Sequence, residues 1–232
     1  MEDKDSYRPG KSMTARSLSH TTSCSPIAGL YAITNGASAD LLDHAAAALR
    51  GGARILQYRD KGHDYQRRLT EARALAKLCA QQGIPMIVND DVDLARACGA
   101  DGVHLGQDDP DITYARTVLG TQAIIGMSCY NDLERGRNCA AQGADYLAFG
   151  SFFESASKPQ ACRAPLDLLP QAKSLGKPLV AIGGITPDNG RDLIAAGADC
   201  LAIIRGVFTA VDIAAAARRY AKLFPDFTDC RS

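Results

Sequence analysis

The sequence predicts an α/β fold, a parallel eight-stranded (β/α)₈ TIM barrel, on two observations. The first is a recurring phrase in which an alanine-rich amphipathic stretch ends in a glycine and is followed by a short apolar run. The second is that three further apolar runs bring the strands to eight, each separated from the next by room for one crossover helix. Alternating strand and helix favours a parallel sheet, and eight repeats favour closure into a barrel.

Each strand is placed in turn. The first lies at Leu30–Thr34, and the second follows Gly52 in Gly52-Ala53-Arg54-Ile55-Leu56. Gly83-Ile84-Pro85-Met86-Ile87-Val88 and Gly99-Ala100-Asp101-Gly102-Val103 supply the third and fourth, and Ala123–Gly126 the fifth. Gly143-Ala144-Asp145-Tyr146-Leu147, Pro178–Ile182 and Gly197-Ala198-Asp199-Cys200-Leu201 complete the set. The glycine supplies the left-handed residue that ends a helix, and the apolar run suits a strand buried on both faces. An open doubly wound sheet would want G-x-G-x-x-G after its first strand, whereas this one ends in Thr34-Asn35-Gly36-Ala37.

With 232 residues, 46% of them hydrophobic, the chain suits one barrel domain, expected over 28–224 with a C-terminal tail at 225–232. Residues 1–27, rich in Ser, Thr and charge, lack the apolar core of a signal peptide and read as a disordered leader, with Met13 an alternative start. A formal net charge of zero and the lack of a Lys/Arg cluster argue against nucleic acid as a partner. There is no apolar run long enough for a membrane span. The eight cysteines form no C-x-x-C pair and sit largely in apolar positions, which suits reduced thiols in a cytoplasmic protein.

In such a barrel, function is read just after each strand. The second strand runs into Gln57-Tyr58-Arg59-Asp60-Lys61, where a period of two puts Gln57, Arg59 and Lys61 on one side. An Arg fork and a Lys point charge there suit a diphosphate; a solvated loop with both cations paired to Asp60 or Asp64 is the alternative. Asn89-Asp90-Asp91 and His104-Leu105-Gly106-Gln107-Asp108-Asp109 bring carboxylates without Cys or His pairs, which favours Mg²⁺ over Zn²⁺. Helix capping competes with that reading, by Asp91 ahead of Val92 and by Asp109 ahead of Pro110. His104 reads more readily as structural than as catalytic.

After the sixth strand, Ser155, Ser157 and Lys158 offer hydroxyls and a cation to a phosphate, or simply a polar loop. Gly183-Gly184 lets backbone N–H groups approach an anion, with Thr186-Pro187 opening the next helix. Ile204-Arg205-Gly206 closes the eighth unit, and barrels often bind phosphate at loops seven and eight. Ser128 lacks a G-x-S-x-G elbow and an evident base, so it reads as a hydrogen-bonding residue and not a nucleophile.

Taken in order across residues 28 to 210, these motifs resemble the thiamine phosphate synthase family, with Ile125-Gly126-Met127-Ser128-Cys129 and Ser155-Ala156-Ser157-Lys158 among them. The resemblance implies condensation of 4-amino-2-methyl-5-(diphosphooxymethyl)pyrimidine with a thiazole phosphate, giving thiamine phosphate and diphosphate. It implies that Gln57, Tyr58, Arg59, Asp60, Lys61, Asn89, Ser128 and Lys158 bind the pyrimidine diphosphate, with Arg59, Lys61, Ser128 and Lys158 catalytic. Asp90 and Asp109 would hold Mg²⁺, and Ser155, Ala156, Ser157, Gly184, Ile204 and Arg205 would line the thiazole phosphate site. The chain departs from the family pattern in two places. Both loop hydroxyls are Ser where the family often has Thr, and Arg205 stands where it usually has Ser. Arg205 either adds a cation or takes space from the pocket. The implied partners are small-molecule substrates, and homo-oligomerisation is left open. A thiazole tautomerase-like barrel and a non-catalytic precursor sensor are the rival readings.

Overall fold

The computed structural model describes residues 27–154 and 162–225. Eight strands are present: β1 (Gly29–Ile33), β2 (Ala53–Tyr58), β3 (Met86–Asn89), β4 (Gly102–Leu105), β5 (Ile124–Tyr130), β6 (Tyr146–Phe149), β7 (Leu179–Ile182) and β8 (Cys200–Ile203). Between and after them run α1 (Leu41–Arg50), α2 (Tyr65–Gln82), α3 (Val92–Cys98), α4 (Ile112–Leu119), α5 (Leu133–Ala141) and α6 (Leu168–Ala172). The series continues with α7 (Gly190–Ala195), α8 (Arg205–Phe208) and α9 (Ile213–Ala221). Each strand pairs in parallel with the next, and β8 pairs with β1, so the barrel is closed. Of the expected leader at 1–27 and tail at 225–232, residues 1–26 and 226–232 lie outside the described residues.

The glycine of the repeated phrase ends its helix as the sequence implies. Gly83 and Gly99 close α2 and α3 in the left-handed region, at φ 63° and 72°. The residue before each of β4, β6 and β8 is a second device that the repeat spells out without explaining. Asp101 accepts the Met86 N–H at 2.8 Å, Asp145 the Ile125 N–H at 2.7 Å, and Asp199 the Leu179 N–H at 2.8 Å. Each aspartate thus clips the beginning of the preceding strand, at the N-terminal end of the barrel.

Alternate residues point into the barrel or out to the helices. Leu30, Leu56, Val88, Leu105, Leu147 and Leu201 join the larger core shared with the helix layer. Tyr31, Ile55, Ile87, Tyr146, Val180 and Cys200 form a separate interior cluster. At one level the register runs Asn89, His104, Gly126, Tyr146. A Cβ on Gly126 would lie 1.9 Å from the Tyr146 ring, so the glycine makes room for that tyrosine inside the barrel.

Two boundaries differ from the sequence reading. Strand β5 continues to Tyr130, so Ser128 lies within it and not after it. Helix α7 starts at Gly190, because Thr186 and Asn189 first form a turn in which Asn189 Oδ1 accepts the Thr186 N–H at 2.8 Å.

Candidate active site

By the parity that sends Ile55 and Ile87 inward, Gln57 and Asn89 also face the interior, as do His104 and Ser128 on β4 and β5. These side chains converge at the C-terminal mouth of the barrel. Gln57 Nε2 donates to the Tyr31 hydroxyl at 2.9 Å, and the Tyr31 and Tyr146 hydroxyls are 2.9 Å apart. Tyr146 meets His104 Nδ1 at 2.9 Å, and His104 Nε2 meets Ser128 Oγ at 2.9 Å. Burial pushes the His104 imidazole down to about 4, with Asp90 opposing, so the ring is neutral near pH 7. His104 is hydrogen-bonded at both ring nitrogens, to Tyr146 and to Ser128. Arg135 Nε donates to the Ser128 carbonyl at 2.7 Å and secures the end of β5.

The stretch after β2 divides by parity. Tyr58 is buried on the helix side, and its hydroxyl donates to Glu71 at 2.7 Å. Asp60 turns back on its own loop, accepting the Gly62 N–H at 2.7 Å and pairing with Arg67 at 2.5 Å. Burial alone would raise its carboxyl, but the Gly62 N–H and the Arg67 guanidinium outweigh that and hold it below the ordinary range. Thr34, fully buried, accepts the Arg59 N–H at 2.8 Å and so fixes the backbone of Arg59 against β1. Lys61 is exposed and pairs with Asp90 across the mouth.

The carboxylates separate into two kinds. Asp64, Asp91, Asp111, Asp132 and Asp212 each accept a backbone N–H in the first turn of a helix. Asp91 is thus the cap that the sequence allowed. The suggested cap at Asp109 is not formed, because α4 starts later and Asp111 caps it through the Tyr114 N–H at 2.7 Å. Asp109 instead accepts the Gly106 N–H at 2.7 Å. Asp90 sits at φ 63°, a left-handed backbone unusual for a non-glycine residue. Burial raises the Asp109 carboxyl most; the Gly106 N–H opposes this, and the charge of Asp90 raises it again. Two carboxylates side by side, faced by one lysine, form a site with a deficit of positive charge. Among the described residues no group of three or more His, Cys, Asp or Glu is arranged around a metal. Two carboxylates are nevertheless the protein share that Mg²⁺ typically takes, the remainder being water and substrate phosphate.

On the opposite rim, Gly183 and Gly184 adopt φ 103° and 64°. A Cβ on Gly184 would come within 2.3 Å of the Glu154 carbonyl, so the loop after β6 lies directly against this turn. Ile204 precedes α8, and Arg205 opens it with an exposed side chain. Ser155, Ala156, Ser157 and Lys158 lie outside the described residues.

The match to a family model described as thiamine monophosphate synthase spans residues 30–207. The chain belongs to that family. A thiamine-phosphate synthase of Nitrosococcus oceani is 51% identical over 207 residues, covering 88% of this chain and 95% of the relative. One of Chromobacterium violaceum is 53% identical over 200 residues, covering 85% and 97%. Among solved structures, a thiamine phosphate pyrophosphorylase from Pyrococcus furiosus superposes with a TM-score of 0.78 at 33% identity, covering 86% of this chain and 96% of that one.

The sequence reading missed Tyr31, Tyr146, Thr34 and Arg135. Tyr31 and Tyr146 fall inside apolar runs, where a tyrosine looks like one more core residue. The available signal was a phenol in a fully buried strand, since a buried hydroxyl requires a partner.

Proposed function

We propose that this chain is a transferase that joins 4-amino-2-methyl-5-(diphosphooxymethyl)pyrimidine to 4-methyl-5-(2-phosphooxyethyl)thiazole, releasing thiamine phosphate and diphosphate in the cytoplasm. The observation that carries the reading is the pair of carboxylates Asp90 and Asp109 facing Lys61, beside the Gln57 and Arg59 end of β2. A thiazole tautomerase has no use for a cation and diphosphate site of this kind. About half of all positions are identical to thiamine-phosphate synthases over most of the chain.

In the proposed reaction the C–O bond between the pyrimidine methylene and the diphosphate breaks, and its electron pair leaves with the diphosphate. The aminopyrimidine ring spreads the positive charge left on the methylene. The thiazole nitrogen then gives its lone pair to that carbon, forming the C–N bond. No protein nucleophile is needed. Arg59, Lys61 and Lys158 neutralise the departing diphosphate, and Asn89 and Ser128 orient the pyrimidine. Mg²⁺, when held by Asp90 and Asp109, supplies Lewis-acid neutralisation of the same charge. Ser155, Ala156, Ser157, Gly184, Ile204 and Arg205 receive the thiazole phosphate.

The test is diphosphate release measured with each substrate alone and with both, with and without Mg²⁺. Release that needs both substrates and the metal supports the synthase. Thiazole isomerisation alone, or binding of either compound without turnover, overturns it. Lys158→Ala should lower kcat by about 10²–10³-fold with the melting temperature unchanged, the usual cost of one charged donor at a reacting group. A turnover within about twofold of the parent would remove Lys158 from the chemistry.

A further inference from the structure

The hydrogen-bonded side chains inside the barrel form an unbroken line from Gln57 through Tyr31, Tyr146 and His104 to Ser128. Tyr31 and Tyr146 are 1% and 0% exposed, so neither is placed to meet a substrate except through its neighbours. Ser128 is the end of the line that is partly open.

The proton order along this line follows from its first member. An amide nitrogen only donates, so the Tyr31 oxygen accepts from Gln57 and the single Tyr31 proton is directed to Tyr146. Tyr146, having accepted, donates to His104 Nδ1. A neutral imidazole with Nδ1 as acceptor carries its proton on Nε2, which donates to Ser128 Oγ. The hydroxyl proton of Ser128 is then left for the pocket. Reversing the line would leave the buried Tyr31 hydroxyl proton without an acceptor.

We infer that Tyr31, Tyr146 and His104 are positioning residues that fix Ser128 as a hydrogen-bond donor to the substrate, and thereby select a heteroaromatic ring that presents an acceptor nitrogen to β5. The inference deepens the synthase reading and takes its substrate, the pyrimidine diphosphate, from it.

Two measurements test it. In ligand-free protein labelled with ¹⁵N-histidine, NMR should find His104 as the Nε2–H tautomer. The Nδ1–H tautomer would overturn the proposal, whatever the protein catalyses. In steady-state kinetics, Tyr146→Phe should raise the KM for the pyrimidine diphosphate about tenfold, the scale of one hydrogen bond, and leave the thiazole phosphate KM within about twofold. On a Ser128→Ala background the same change should have less than about a twofold effect, because the donor being ordered is already gone. A tenfold effect in both backgrounds would assign Tyr146 a purely structural role and overturn the proposal. If Tyr146→Phe fails to fold, the tautomer in the parent protein decides alone. A parent protein that turns over neither substrate sinks the synthase reading, and the tautomer still judges the hydrogen-bonded line.

Discussion

At the N-terminal ends of the strands, Asp101, Asp145 and Asp199 each accept an N–H from the first or second residue of the preceding strand. At the C-terminal ends, Asp90 and Asp109 break every repeat. One sits on a left-handed backbone, the other is raised by burial and by its neighbour, and neither caps a helix. The same side chain does opposite work at the two ends. At the first end the carboxylates accept strand N–H groups; at the second, Asp109 accepts the Gly106 N–H and also faces Asp90, which pairs with Lys61. Barrels in general divide stability and catalysis between these faces.

The largest effect expected from disturbing this contrast is at Asp90. Asn tolerates the left-handed backbone and keeps the shape, so Asp90→Asn should preserve the melting temperature and lower kcat/KM by about 10²–10³-fold. Steady-state assays with saturating Mg²⁺ would check it, and a loss of melting temperature with the rate intact would reverse the assignment of the two ends. A smaller effect of the opposite kind is expected at Asp145. Asp145→Ala leaves the buried Ile125 N–H without its acceptor and Arg116 without its carboxylate. The cost is about 1–3 kcal/mol, a fall of several degrees in melting temperature, with both KM values unchanged. Thermal melts and kinetics on one preparation separate the two. The smallest effect is at Arg205. Its side chain is exposed on the rim, so Arg205→Ser should change the thiazole phosphate KM by less than about threefold, the scale of a solvated charge contact. A marked fall in that KM would mean instead that the arginine takes space from the pocket.

Much of this was legible in the sequence because it follows from periodicity. Eight apolar runs, five of them introduced by a glycine, give eight strands, and a period of two at the end of β2 puts Gln57 and Tyr58 on opposite sides, as found. What periodicity leaves open is the partner of each polar group. Asp90 and Asp91 are adjacent in sequence, and only the backbone angle at Asp90 sends one to the mouth and leaves the other to cap α3. Asp109 before Pro110 has the pattern of a helix start, but the helix begins after Asp111, which frees Asp109. Tyr31 and Tyr146 meet across 115 positions of chain, a contact that no local pattern encodes.

The central claim, that Asp90 and Asp109 at the C-terminal mouth hold a cation while Asp145 at the other end secures the backbone, is tested most directly by counting bound metal. Mn²⁺, titrated with inorganic diphosphate present and followed by water-proton relaxation, should bind the parent protein at one site per chain. Binding should persist in Asp145→Asn and be lost in Asp90→Asn. Equal binding by Asp90→Asn and the parent would contradict the account.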